Sequence, residues 1–165
     1  MSVSREEFRN AMARLGAAVN IITTGGPAGR AGFTASAVCS VTDDPPTLLV
    51  CMNRNASSAP ALKANGVLCV NTLAAGQKAV AAVFAGVTRC PPGERFEAGT
   101  WAPLVTGAPA LQGAVAAFDC RVAEMVEKGT HIVIFAEILA IRQGSRHDAG
   151  LIYFGRDYHP VGTEG

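Results

Sequence analysis

The sequence predicts a mainly β protein with short α-helices: an antiparallel barrel or sandwich with helices at its ends. Three observations lead there. About seven β-type segments rich in Val, Ile and Thr recur along the chain, mostly joined by hairpin-sized turns. Helical periodicity is confined to three short stretches. No regular strand–helix–strand rhythm, internal repeat or linker breaks the 165 residues, so residues 1–165 read as one domain.

The elements follow in order. "SREEFRNAMARLG" carries a capping box, Ser4 with Glu7 three residues on, and then Phe8, Met12 and Leu15 on one helical face. Gly16 is a natural stop. "AVNIITT" is β-branched and reads as a strand. The glycines of "GGPAGRAGFTASAVCS" invite comparison with a dinucleotide fingerprint, which requires a helix to follow. Here the following residues alternate instead. Phe33, Ala35, Ala37, Cys39 and Val41 fall on one face, and Thr34, Ser36, Val38, Ser40 and Thr42 on the other. The spacing predicts a hairpin turn and a single strand, and neither a P-loop nor a Rossmann turn.

"DDPP" breaks the chain before the strand "TLLVCMN". Ser57 or Ser58 caps a short helix with Pro60 in its first turn and Gly66 at its end. "VLCVNTL" is a strand, and "AAGQKAVAAVFAG" a short helix with Val80, Val83 and Phe84 on one face. Val87 to Gly113 is loop-like, rich in Pro and Gly and long for a structureless connection, which marks it as a site or an interface. "AVAAFDCRVAEMVEKG" and "HIVIFAEILAIRQG" are long strands joined by a turn at Lys128 to Thr130. "LIYFGRDYHPVG" closes the chain as one short aromatic-rich strand.

Composition narrows the function classes. The chain is 49% hydrophobic and 16% charged, with a net charge of +1 and no Lys/Arg cluster, which argues against a nucleic-acid surface. So few charges leave apolar surface that a subunit interface would hide. No apolar run reaches the roughly 20 residues of a membrane helix. "MSVSREEFRNAM" carries charges where a signal peptide is apolar, so the expected location is the cytoplasm. The five cysteines form no C-x-x-C pair, most lie in apolar runs expected to be buried, and no ligand pattern links them to the three histidines; no metal is expected.

Two features suggest a ligand. The strand after the glycine turn offers hydroxyls at Thr34, Ser36, Ser40 and Thr42, with the small Ala35 and Ala37 opposite, so a flat molecule can approach the backbone. The helix start lined by Asn55, Ser57 and Ser58 suits a phosphate. A half-solvated strand and ordinary helix capping are the plainer readings of the same residues.

"GRAGFTASAVCSVTDDPPTLLVCMNRNASS", "LCVNTL" and "GTHIVIFAEILAI" resemble the short-chain flavin reductases of two-component monooxygenase systems. The likeness runs from "FRNAMARLGAAVNIITT" to "LIYFGRDYH" and is strongest to the branch serving bacterial pyrimidine utilisation. It implies a split antiparallel β-barrel of the flavin-reductase-like, FMN-binding kind, in a homodimer. It implies hydride transfer from NADH or NADPH to FMN or FAD, with reduced flavin diffusing to a flavin-dependent monooxygenase. By the same resemblance Thr34, Ala35, Ser36 and Ala37 line the isoalloxazine. Asn53, Asn55, Ser57 and Ser58 take the ribityl chain and phosphate, and Phe84 and Ala85 flank the flavin. His131 and Tyr158 fall on the nicotinamide side, although Thr130 stands where relatives carry an Asp before that His. The chemistry is borne by the flavin, and no residue is singled out as catalytic. A reductase with bound flavin acting on another acceptor, such as a corrin cobalt, and a non-catalytic FMN-binding protein are the alternatives.

Overall fold

The computed structural model describes residues 2–162. The chain runs α1 (Arg5–Met12), β1 (Ala17–Ala18), β2 (Asn20–Thr24), β3 (Ala31–Ala35), β4 (Val38–Asp43), β5 (Pro46–Asn53), α2 (Ala59–Asn65) and β6 (Val67–Thr72). It continues through α3 (Lys78–Phe84), a 3-10 segment at Pro92–Glu97, β7 (Ala116–Lys128), β8 (His131–Gln143), β9 (Gly150–Phe154) and β10 (Asp157–Val161). Seven strands form one antiparallel sheet in the order β3-β2-β6-β7-β8-β5-β4, and β1-β9-β10 form a second.

Strand alternation builds the interior. Leu48, Val50 and Met52 of β5 and Ile132, Ile134 and Ala136 of β8 point inward and pack with Ile22, Leu68 and Val70. The large sheet thus curls around one apolar core, with β3 and β4 as its two edges. Ser36 and Ala37 carry the chain from one edge to the other, and the Ala37 carbonyl accepts from the Cys51 amide at 3.0 Å. This is the split of the barrel.

The predicted single strand over 33–42 is therefore two strands on opposite edges. Phe33, Ala35 and Val38 face the interior, so the inward phase slips by one residue at Ser36–Ala37. The Thr34 hydroxyl also departs from the solvated-strand reading: it donates to the Ala81 carbonyl of α3 at 2.7 Å. The aromatic C-terminal strand is a hairpin, β9–β10, turning at Gly155 and Arg156, both with positive φ.

β2 is buried along its whole length because both of its faces are covered. Ile22 enters the barrel, while Ile21 packs under α3 with Phe84, Phe96 and Leu111. The long segment after α3 is a fitted cover, pinned by buried polar groups. The Asn71 side chain donates to Ile21 O at 3.1 Å and accepts from Leu111 N at 2.7 Å. The Asp119 carboxylate accepts from the amides of Val105 and Thr106, each at 2.8 Å, and from the Thr106 hydroxyl. The Pro- and Gly-rich composition of this segment signals irregular backbone, and its packing is structural.

β3 approaches α3 closely. A Cβ at Gly32 would lie 2.9 Å from the Ile22 carbonyl oxygen and 2.9 Å from the Phe84 ring. Gly32→Ala is expected to cost about 1–3 kcal/mol through overpacking. A urea midpoint equal to that of the unsubstituted protein would refute this close approach.

Only two of the five cysteines, Cys69 and Cys120, are buried, where the apolar runs predicted most of them to be. Burial, and secondarily the Asp119 charge, pushes the Cys120 thiol up to about 12. Cys39 is exposed on the edge strand β4, and Cys51 and Cys90 are half-buried, Cys51 facing outward because Val50 and Met52 fill the interior. Among the described residues no helix is long and apolar enough to cross a membrane.

Candidate active site

The split of the barrel leaves two adjoining cavities. The larger is an open groove of about 790 Å³. Its floor is Ser36, Ala37 and Val38 with Cys39, Leu49 and Cys51, and its opposite wall is α1 with Phe8, Arg9 and Met12. The smaller, about 130 Å³, is lined by Val19, Thr34, Ala35, Ser36, Tyr153 and Tyr158. Ser36 and Tyr153 belong to both, so a molecule in the groove borders the smaller cavity.

The floor is shallow because the crossing residues are small and exposed. Leu49 and Cys51 face outward because Leu48, Val50 and Met52 fill the interior. Beyond Cys51 the strand ends at Asn53, whose Oδ1 accepts from the Asn55 amide at 2.9 Å. Asn55 and Ser57 are exposed there. Ser58 takes the N-cap position of α2 but makes no capping bond; its Oγ is buried without a partner. Asn53, Asn55, Ser57 and Ser58 line neither cavity, and Ser58 is buried.

The other expected residues fall in three places. Tyr158 lies in the smaller cavity, its ring 5.5 Å from that of Tyr153, and burial raises its phenol above the usual range. His131 begins β8 directly opposite Asn53, exposed, with Thr130 Oγ1 at 2.8 Å from its Nδ1. It lines neither cavity, so the structure does not bring it together with Tyr158. Phe84 is 1% exposed, wedged between Phe96 and Trp101 at ring distances of 5.1 and 5.3 Å. Its ring holds the core beneath β3 and reaches no cavity; the neighbouring Ala85, at the C-cap of α3, is exposed.

The sequence reading missed the α1 wall, the outward Leu49 and Cys51, and Tyr153. The signal for α1 was present in its apolar face, which implies burial. No residue of α1 is buried, however, and Phe8 is 56% exposed. The helix stands off the barrel and is joined to the β9–β10 turn by the Gly155 amide on Ala13 O at 2.7 Å.

The model of the flavin reductase like domain family matches residues 12–162. The chain belongs to that family. As a flavin reductase it is an oxidoreductase whose hydride chemistry runs on flavin. Among curated relatives, "FMN reductase (NADH) RutF" of Ancylobacter novellus is 62% identical over 160 residues, 97% of this chain and 87% of that protein. The protein of the same name from Stutzerimonas stutzeri is 58% identical over 98% of this flavin reductase and 91% of its own length. Among solved structures, a flavin reductase of Haemophilus somnus superposes with a TM-score of 0.91 at 46% identity, covering 96% of this chain and all of that one. BorF, the flavin reductase component of a bacterial two-component tryptophan halogenase, gives 0.88 at 28% identity over 98% of this chain and 100% of its own. These likenesses match the observed β architecture to the split-barrel fold expected from the sequence.

Proposed function

We propose that this flavin reductase takes hydride from NADH and delivers it to FMN, releasing reduced flavin to a flavin-dependent monooxygenase. The observation that carries this reading is a groove with a floor of small residues in a chain 62% identical to an FMN reductase (NADH). A nitrilotriacetate monooxygenase component B and a styrene monooxygenase flavin reductase among the structural relatives support the oxygenase partner. The likeness to reductases of pyrimidine utilisation supports a pyrimidine-ring oxygenase as that partner.

The residues present fit a flavin. The groove volume lies within the usual range of about 300–1,000 Å³ for small-molecule sites. Ser36 and Ala37 leave a flat approach to the backbone, beside Thr34 and Ala35 in the smaller cavity. The exposed Asn53, Asn55 and Ser57, past the end of β5 with Ser58 buried behind them, would supply the polar groups for ribityl and phosphate oxygens. Bound there, the flavin supplies the hydride acceptor. The protein positions the rings, limits water over the floor and leaves acid–base work to solvent. Tyr158 borders the nicotinamide from the smaller cavity. His131, opposite Asn53, borders the flavin's polar end and meets the nucleotide only from that side.

Steady NADH consumption with added FMN tests the reading. Turnover with free FMN, and loss of flavin on gel filtration, is the expected result. Tight co-elution of flavin with turnover only on another acceptor would favour the bound-flavin alternative. Flavin binding with no NADH oxidation in any of the four flavin–nucleotide pairings would leave only a binding protein.

The chain functions as a homodimer in this proposal. Val87, 75% exposed on the cover segment, and the outward Leu139 and Ile141 of β8 are apolar side chains that a subunit face would hide. Light scattering at micromolar concentration is expected to report about twice the 17.0 kDa chain mass. A value at the chain mass would sink the dimer.

A further inference from the structure

We propose that Arg9 and Arg156 hold the diphosphate of a dinucleotide, so that α1 forms the nucleotide wall of the groove. The inference rests on the flavin-reductase reading and deepens it. With the flavin's ribityl phosphate assigned in that reading to Asn53 and its exposed neighbours, past the end of β5, the α1 wall is left for the second substrate.

That wall carries charge of one sign. Arg9 comes from α1 and Arg156 from the β9–β10 turn, two separate segments that converge on the same groove. None of the described residues lining the groove is acidic. Arg156 is held in place: it occupies a left-handed conformation at φ 64°, and its guanidinium donates to Asn10 Oδ1 of α1 at 2.6 Å. The remaining arginine nearby, Arg14, is engaged over the Phe154 ring at 4.7 Å. Two guanidiniums above an apolar floor suit a molecule that joins a flat ring to a diphosphate, since planar guanidinium forks match phosphate oxygens.

The position is also right for the ring. Arg156 lies two residues before Tyr158 and three after Tyr153, which lines both cavities. A dinucleotide with its diphosphate between Arg9 and Arg156 places its nicotinamide at the Ser36–Tyr153 boundary, over the flavin's floor. The chemistry is shared by NADH and FAD; FMN, a monophosphate ester, lacks it. The ribityl direction makes NADH the occupant.

The test measures KM for NADH with FMN as acceptor in Arg9→Gln, Arg156→Gln, Arg9→Lys and Asn10→Ala, against the unsubstituted enzyme. Each Gln variant is expected to raise KM for NADH about tenfold, the loss of one charge-assisted contact, with KM rising more than kcat falls. Added salt should raise KM in the unsubstituted enzyme and do so less in the variants. Arg9→Lys should recover part of the loss. Asn10→Ala keeps both charges and should be milder than Arg156→Gln. A purely structural role for Arg156 makes those two equal, lowers their melting temperatures alike and overturns its part in the site. If KM for NADH is unchanged but KM for FAD rises while FMN is unaffected, the diphosphate site stands and its occupant is FAD. KM values within twofold for both dinucleotides would overturn the proposal while leaving the reductase reading intact. Absence of NADH turnover in the unsubstituted enzyme would overturn both.

Discussion

Asp119→Ala is expected to destabilise the protein by roughly 3 kcal/mol or more, the range reached when a buried charged acceptor with several donors is removed. Asp119 is fully buried in β7 and accepts from two consecutive backbone amides and a hydroxyl of the cover segment. Alanine leaves those donors without their acceptor over the outer face of the sheet. The cover then loses its hold beside Ala108 and Ala110, which are fully buried against Cys69 and Ala117. For a chain of this size the melting temperature should fall by roughly 6–12 °C. Asp119→Asn, which keeps one acceptor oxygen, should lose less. Flavin affinity below the transition should hold, because no residue from 87 to 113 lines either cavity. A melting temperature within about 2 °C of the unsubstituted protein would show that the segment is held by apolar packing alone.

Asp119 also shows what the sequence hides. In "AAFDCRV" it sits in a strand pattern with nothing local to mark it as buried, and its partners lie 13 and 14 residues upstream in an irregular segment. Local signals were read well where they are self-contained. The capping box at Ser4 and Glu7 is present in the structure. Gly66 ends α2 in the left-handed conformation, and Gly129 turns β7 into β8. The glycine-rich segment joins β2 to β3 as a hairpin.

Most of the failures share a cause: they depend on a partner distant in the chain. The Ser36–Ala37 break is invisible to period-2 counting because small residues satisfy either phase. Only the curl of the sheet, which puts β3 and β4 on opposite edges, requires the slip. The β9–β10 turn was missed because Arg156 is an unusual occupant of positive φ. The apolar face of α1 was recognised, but amphipathicity states that a face is covered without naming what covers it. The hydroxyls and small residues of the candidate site were legible as a strip of residue types. Their junction with Tyr153 and Tyr158 required the second sheet, and the arginines of the α1 wall carried no sequence signal of their own.

Ser36→Leu is expected to weaken FMN binding by at least about 30-fold, or about 2 kcal/mol, with little loss of stability. Ser36 is exposed at the crossing between the barrel edges, and it borders both the groove and the smaller cavity. A leucine there adds a branched side chain to the floor proposed for the flat ring, and no neighbouring core has to yield. Its effect on folding is therefore that of a surface substitution, within about 0.5 kcal/mol. Thr34→Val is the contrasting variant. Thr34 lies two residues away and also lines the smaller cavity, but its hydroxyl is spent on the Ala81 carbonyl, so valine should lower stability more than flavin affinity. The two substitutions separate a ligand floor from a structural strand. Fluorescence titration with FMN and thermal unfolding, run on the same preparations, read both quantities. If Ser36→Leu binds FMN as tightly as the unsubstituted protein, the crossing residues are ordinary solvated backbone and the flavin lies elsewhere. If instead it unfolds early, Ser36 serves the barrel seam and the flat-floor argument loses its ground.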